Sequence, residues 1–142
     1  GAVRLHGMTV HRAGRWLPAL LLALLASRAN AANPQQLEHG AQVYERCAAC
    51  HAMDRNRTGP QHCGLFQRRS GQAPGFAQYS PAMRQAGIAW NAVTLDRFLR
   101  DPAQMVPGTS MGYAGVKDPT DRADLIAWMQ VASRAGVSCR PQ

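Results

Sequence analysis

Apolar side chains recur at intervals of three or four residues in several stretches of the chain, which is the spacing of an amphipathic helix. In none of these stretches do apolar and polar residues alternate as they do in a half-buried strand. The periodicity predicts four helices, over residues 35–47, 81–86 and 94–101 and from Pro119 onward. The hydrophobic pattern therefore predicts an all-α fold.

The last of these helices has the clearest signals at its start. Asp118 is suited to cap the helix, Pro119 to occupy its first turn, and Asp121 to interact favourably with the helix dipole. Two segments rich in glycine and proline, 58–75 and 105–115, separate the other helices. We expect both segments to be ordered loops.

The N-terminal segment has the three-part layout of a secretory signal peptide. Basic residues after Met8 precede an apolar core of about ten residues, too short to span a bilayer, and Ala29-Asn30-Ala31 supplies a small-residue cleavage site. The alternatives are an amphipathic first helix of the folded domain or an uncleaved anchor. We expect residues 1–31, including an upstream extension before Met8, to be removed. Residues 32–142 then form one domain in the periplasm.

Charge excludes one class of partner. The net charge of +8 suggests nucleic-acid binding, but four of the 16 basic residues lie within the first 31 positions, where no acidic residue is found. The remaining chain has 12 basic and 8 acidic residues and is only mildly basic. No run of 18 or more apolar residues predicts a membrane-spanning helix. We therefore expect neither nucleic-acid binding nor a permanent membrane span.

The sequence Cys47-Ala48-Ala49-Cys50-His51 is a C-x-x-C-H motif, the attachment pattern of c-type haem. Its two thiols can add to the two vinyl groups on one edge of the porphyrin, and the adjacent histidine then lies beneath the iron. A thioredoxin-like redox pair is disfavoured because no βαβ pattern surrounds the motif. A zinc site would have to recruit groups such as His62, which lack zinc-ribbon spacing.

A six-coordinate iron also requires a second axial ligand. The candidates beyond the predicted signal peptide are His39, His62, Met53, Met83, Met105, Met111 and Met129. Met111 lies in the turn Pro107-Gly108-Thr109-Ser110-Met111-Gly112, outside any predicted helix, where a rigid backbone can hold a thioether against a metal. Met129 lies on the apolar stripe of the last helix, and most such methionines only fill the core.

Taken together, these segments resemble the class I cytochromes c, and the resemblance covers residues 36 to 131. It is closest to the soluble bacterial monohaem type, which is similar to mitochondrial cytochrome c. Besides CAACH, the matching segments are TGP at 58–60, GLFQRRSGQAPGF at 64–76, YSPAM at 79–83, GIAW at 87–90, TLDRFLRDP at 94–102, PGTSMGYAGV at 107–116 and DRADLIAWM at 121–129. The resemblance implies the small cytochrome c fold around one covalently bound haem c.

The resemblance also implies roles for individual residues. Cys47 and Cys50 would form the haem thioethers, His51 and Met111 would be the axial ligands, and the carbonyl group of Pro60 would accept the proton of the other His51 nitrogen. Three further residues match positions that hydrogen-bond or shield the haem propionates: Arg68, Tyr79 and Trp90. Gly40, Tyr44 and Trp128 match the tight crossing of the first and last helices.

Five positions depart from the family pattern. Phe98 stands where many relatives have a tyrosine whose hydroxyl group bonds the methionine sulfur, and Cys63 stands where histidine is common. Ser110, with Ala103 and Gln104, replaces lysines that surround the haem edge in mitochondrial members. Haem attachment leaves Cys63 and Cys139 as an even remainder in an exported chain, so we expect a disulfide between them. Two separate thiols remain the alternative.

The function implied by the resemblance is one-electron transfer in the periplasm, with transient redox partner proteins, by a monomer that is not an enzyme. One alternative is a haem electron-entry subunit bound permanently to a larger dehydrogenase or oxidase complex. Another is a haem peroxidase or sensor with an open iron position, which would require that Met111 be absent or displaced. The physiological donor and acceptor cannot be read from the sequence.

Overall fold

A side-chain cap at Asn33 begins the first helix of the folded unit. Its side chain accepts a hydrogen bond from the backbone N–H of Gln36 (2.9 Å), and the Gln36 side chain accepts one from the Asn33 N–H (3.1 Å). This reciprocal capping box satisfies two N–H groups that the helix itself leaves without partners. Pro34 follows in the first turn, where its fixed φ and missing N–H are tolerated.

The computed structural model describes residues 1–2, 31–134, 136 and 139. The chain divides into two units, residues 1–31 and residues 32–142. Most of the predicted signal peptide lies outside the described residues. Among its described residues, the second unit has five α-helices: α1 (Pro34–Tyr44), α2 (Pro81–Gln85), α3 (Ala92–Arg100), α4 (Pro102–Met105) and α5 (Pro119–Ala132).

No strand occurs within the described residues, and Arg69 and Ala89 form an isolated antiparallel bridge. The all-α prediction is therefore confirmed. A short 3-10 helix, Leu65–Gln67, lies in the first predicted loop. None of the helices described here is long and apolar enough to cross a membrane.

Helix ends account for most differences from the predicted bounds. Helix α3 begins at Ala92 rather than near Thr94, because Asn91 accepts hydrogen bonds from the N–H groups of Val93 (2.9 Å) and Thr94 (3.0 Å). Helix α4 was not predicted. It begins directly after α3 because the Asp101 side chain accepts from the Gln104 N–H (3.1 Å).

The first and last helices cross at close range. At Gly40, a Cβ atom would lie 2.7 Å from the Cβ of Trp128, so only glycine allows this approach. The rings of Tyr44 and Trp128 pack beside the crossing with their centroids 4.7 Å apart. Leu125 of α5 is completely buried behind them, and the core continues into the apolar faces of α3 and the loops.

Candidate functional site

An apolar cavity of about 480 Å³ lies between the C-x-x-C-H segment, helix α3 and the loop that contains Met111. That volume is within the usual range for a cofactor or ligand site. All the residues to which the resemblance assigned a role at the haem line this cavity: Cys47, Cys50, His51, Pro60, Arg68, Tyr79, Trp90 and Met111. The fold therefore brings together residues that are up to 64 positions apart in the sequence.

The C-x-x-C-H segment forms a turn immediately after α1. The N–H groups of Cys50 (3.1 Å) and His51 (2.9 Å) both donate to the carbonyl oxygen of Cys47. This turn places two free cysteines and one histidine at the same cavity. Burial raises the pKa of Cys47 to about 11, with the nearby Arg46 charge acting in the opposite direction.

Two alternative readings of the motif are disfavoured by this environment. The attacking cysteine of a redox pair has a lowered pKa, so that the thiolate is available near neutral pH, whereas the pKa of Cys47 is raised. A zinc site needs several ligands at one point. Within the described part of the chain, no group of three or more His, Cys, Asp or Glu residues could hold a metal ion.

His51 is buried and oriented by the loop that follows it. Its Nδ1 lies 2.8 Å from the carbonyl oxygen of Pro60, so Nδ1 donates and Nε2 is left available for another partner. Gly59 packs against the face of the same ring, where a Cβ would lie 2.5 Å from Cε1 of His51. Burial lowers the pKa of His51, and the bond to Pro60 partly offsets this. A neutral, fixed imidazole of this kind is suited to bind iron.

His62 lies beside His51. The two rings are stacked with their centroids 4.4 Å apart and their planes 21° from parallel. Burial, followed by the charges of His51 and Arg68, lowers the pKa of His62 well below its ordinary value. Since the rings share one side of the cavity, His62 is badly placed to bind a metal opposite His51. The sequence indicates His62 only as a candidate metal ligand and contains no signal that predicts its stacking on His51.

Met111 is half-buried in the second loop and lines the cavity together with its neighbours from Thr109 to Tyr113. The Met111 N–H donates to the Thr109 hydroxyl oxygen (3.3 Å). Of the other candidate methionines, Met83 and Met129 also line the cavity but are buried within helices, whereas Met53 and Met105 do not line it.

The end of the Met111 loop is attached to two helices. The Val116 N–H donates to the carbonyl oxygen of Leu99 in α3 (2.7 Å). The buried guanidinium group of Arg122 in α5 donates to the carbonyl oxygens of Val116 (2.9 Å) and Lys117 (2.9 Å), and to Asp96 in α3 (2.8 Å). These bonds hold the loop at a fixed place beside the cavity.

The three residues expected near the propionates have partners within the protein. The Arg68 guanidinium group donates to the carbonyl oxygens of Gln61 and Cys63. The Tyr79 hydroxyl oxygen accepts from the Ala73 N–H (3.1 Å). The Trp90 ring packs edge-on against Phe98, with 5.1 Å between centroids. Burial lowers the pKa of Arg68, with an opposing contribution from Tyr79.

Cys63 and Cys139 lie beside each other at the edge of this region. Their Cα atoms are 5.5 Å apart, a separation typical of disulfides, and their sulfur atoms are within bonding distance. The oxidation state of this pair stays a prediction.

Comparison with known proteins gives a consistent result. The sequence profile of the family described as Cytochrome c matches residues 37–133. Cytochrome c2 of Blastochloris viridis is 42% identical over 113 residues, which cover 78% of this chain and 87% of that protein. Cytochrome c of Euglena viridis is 43% identical over 96 residues, covering 66% of this chain and 93% of that protein. The structure is also similar to that of cytochrome cH from Methylobacterium extorquens, with a TM-score of 0.64, 33% identity, and coverage of 67% of this chain and 97% of that chain.

Proposed function

Because the chain belongs to the cytochrome c family, whose members are electron carriers with covalently bound haem c, we propose that it carries single electrons in the periplasm. In this proposal Cys47 and Cys50 hold one haem through thioether bonds, and His51 and Met111 are its axial ligands. One observation carries the proposal: both thiols, the imidazole and the Met111 side chain line the same apolar cavity.

The donor set and the surroundings fit a haem. The two cysteines are free and one turn apart, as attachment to one porphyrin edge requires. His51 uses Nδ1 for the Pro60 carbonyl group, which leaves Nε2 for iron. Apolar and aromatic residues such as Leu65, Leu95 and Phe98 supply most of the remaining wall.

Bound haem supplies a one-electron couple between ferric and ferrous iron. The chain's own residues hold the ligands in place and exclude water. The Pro60 carbonyl group fixes the His51 ring and increases its basicity. A thioether at Met111 and a largely apolar cavity both favour the reduced state, so we expect a positive midpoint potential. No step requires a substrate site or a proton donor.

Location and partners complete the proposal. Export to the periplasm rests on the signal-peptide pattern of residues 1–31. We propose a monomer that meets its redox partners transiently, through the edge of the cavity lined by Thr109 to Tyr113. The large apolar side chains that the described residues expose are Val93 and Val131, which is little surface for a permanent subunit interface.

The ligand assignment is tested by comparing Met111→Ala with Met105→Ala. Met105 is half-buried in the neighbouring helix α4 but does not line the cavity, so it is a matched control. We expect the ferric wild-type protein and Met105→Ala to show the weak near-infrared sulfur-to-iron charge-transfer band, and Met111→Ala to lack it. The opposite pattern refutes the assignment. Haem staining after denaturing electrophoresis, with no colour extracted by acid acetone, tests the covalent attachment.

A further inference from the structure

His62 has two contacts that are unusual for a side chain that only fills space. Its ring is stacked on His51 with 4.4 Å between centroids, and its Nδ1 lies 3.0 Å from the hydroxyl oxygen of Tyr44. The Tyr44 ring itself is packed against Trp128 of α5. A continuous series of contacts therefore links the crossing of the first and last helices to the face of the His51 imidazole.

The backbone around His62 is also held firmly. The His62 N–H donates to the carbonyl oxygens of Ala52 (3.2 Å) and Met53 (3.1 Å), and the Cys63 N–H donates to Met53 (2.8 Å). The carbonyl oxygens on either side of His62 along the chain, those of Gln61 and Cys63, accept from the half-buried guanidinium group of Arg68. The ring of His62 is thus carried on a segment with little freedom to move.

One hydrogen bond does not determine the orientation of an imidazole ligand. The bond from Nδ1 of His51 to Pro60 fixes the position of one ring atom, but rotations about the Cα–Cβ and Cβ–Cγ bonds can still tilt the plane of the ring. A flat ring stacked on one face opposes that tilt, as does the contact of Gly59 with the face of the ring. We infer that His62 is a positioning residue, which sets the plane of the His51 imidazole relative to the haem.

This inference rests on the proposed ligation and adds to it. The orientation of an axial imidazole controls how unpaired spin is distributed over a ferric haem. It also affects how strongly the ligand bonds to each oxidation state. Residues that contact a metal ligand without binding the metal themselves commonly change the properties of that metal in this way. If His62 orients His51, its replacement changes the spectrum of the ferric haem as well as the stability of the fold.

The test compares His62→Leu, which fills similar space without a flat ring, with His62→Phe, which keeps a flat ring without the bond to Tyr44. The readouts are the four haem methyl signals in the proton NMR spectrum of the ferric holoprotein and the midpoint potential. We expect His62→Leu to change the spread or order of the methyl signals and to shift the potential. His62→Phe keeps the ring and loses only the bond to Tyr44, so it is expected to retain the wild-type order of the signals with a smaller change in their spread. Wild-type signals in His62→Leu, or equal changes in both variants, overturn the inference.

Two further variants separate positioning from packing. Ile126→Val removes one buried methyl group from α5 outside the cavity lining, so its methyl signals should be those of the wild type. Tyr44→Phe leaves the two stacked rings in place but removes the hydrogen bond that holds His62. We expect its methyl signals to change in the same direction as those of His62→Leu, by a smaller amount. If His62→Leu does not fold, unchanged signals in Tyr44→Phe overturn the inference. Failure of the proposed ligation is distinguishable, because the wild-type spectrum then lacks the strongly shifted methyl signal of an iron-bound methionine.

Discussion

Gly40 of α1 packs directly against the backbone carbonyl group of Asp124 in α5. The absence of a side chain at Gly40 lets the two helix backbones approach until the next neighbour, the Cβ of Trp128, is also within contact distance. Both helices flank the site, since α1 leads into the C-x-x-C-H turn and α5 contributes Met129 to the cavity. The closeness of this crossing therefore determines how well the haem-binding unit holds together.

We expect Gly40→Ala to destabilise the folded unit by about 1–3 kcal/mol, because the added methyl group forces the helices apart in a well-packed region. Guanidinium unfolding of the holoprotein, followed by circular dichroism, measures this loss. Gln42→Ala is the control, because Gln42 is exposed on the same helix and should change stability by less than about 0.5 kcal/mol. Equal stability of the two variants would contradict the crossing described here.

The sequence predicted this crossing by resemblance, and it predicted other features from local pattern. The cap at Asp118 could be read directly because its side chain bonds the N–H groups of Thr120 and Asp121, only two and three residues away. Asn91 carries a signal of the same kind, which explains why α3 begins two residues before its predicted start. Helix α4 is not predicted because a proline such as Pro102 ends a helix as readily as it begins one, and here it follows the Asp101 cap.

Long-range contacts of the site could not be read from local pattern. The stacking of His62 on His51 depends on how the chain folds back after Pro60, which brings two rings eleven residues apart into contact. The bonds from Arg68 to the carbonyl groups of Gln61 and Cys63 depend on the same fold. The resemblance to the class I cytochromes c implied which side chains would line the cavity, while their mutual contacts required the structure.

Phe98 offers a prediction about the redox potential. It is buried, lines the cavity with Met111 and has no hydroxyl group to bond the thioether sulfur. We expect Phe98→Tyr to raise the midpoint potential, because a donor to the sulfur withdraws electron density and disfavours ferric iron. A hydrogen bond of about 0.5–1.5 kcal/mol corresponds to at most about 65 mV for a one-electron couple. Protein-film voltammetry measures the shift.

The control for Phe98→Tyr is Phe76→Tyr. Phe76 also lines the cavity, but it packs edge-on against Tyr79, with 4.8 Å between the centroids. We expect its potential to move less than that of Phe98→Tyr. A lower or unchanged midpoint potential in Phe98→Tyr shows that the missing hydroxyl group at position 98 does not keep the potential low.

His39 offers a prediction about pH. Its Nδ1 lies 2.8 Å from Asp124 and its Nε2 lies 3.2 Å from Asp121, so it joins α1 to two carboxylates of α5. The hydrogen bond to Asp124 is the main reason why the pKa of His39 is raised, and desolvation opposes this increase. The negative charges of Asp121 and Asp124 raise the pKa further, whereas the positive charge of Arg46 lowers it. A raised pKa in the folded state means that the folded protein binds the proton more tightly than the unfolded chain does.

The contribution of His39 to stability is therefore complete below its unfolded pKa of about 6.5 and disappears as the pH rises through the higher folded pKa. We expect the stability difference between wild type and His39→Gln to be largest near about pH 6 and to diminish toward about pH 9. Denaturant unfolding of both proteins across this range measures the difference. A difference that is constant with pH, or that grows as the pH rises, shows that the protonated histidine is not what joins the helices.

The last prediction concerns Cys63 and Cys139, whose Cα atoms are 5.5 Å apart. Cys63 follows His62 in the loop beside the cavity, and Cys139 follows α5, so a bridge closes a segment with a sequence separation of 76. We expect the mature protein to contain this disulfide. Intact mass after unfolding and alkylation without reduction checks it, because two alkylated thiols mean that no bridge exists.

If the bridge forms, its contribution to stability should come mainly from restriction of the unfolded chain. The chain-entropy model gives about 4 kcal/mol for a loop of this length. Replacing both cysteines by serine should lower the free energy of unfolding by up to that amount. The visible spectrum should stay unchanged, because neither cysteine is among the proposed haem ligands. The reduced wild-type protein is the matched comparison: it should lose the same stability as the double variant, since both lack the crosslink.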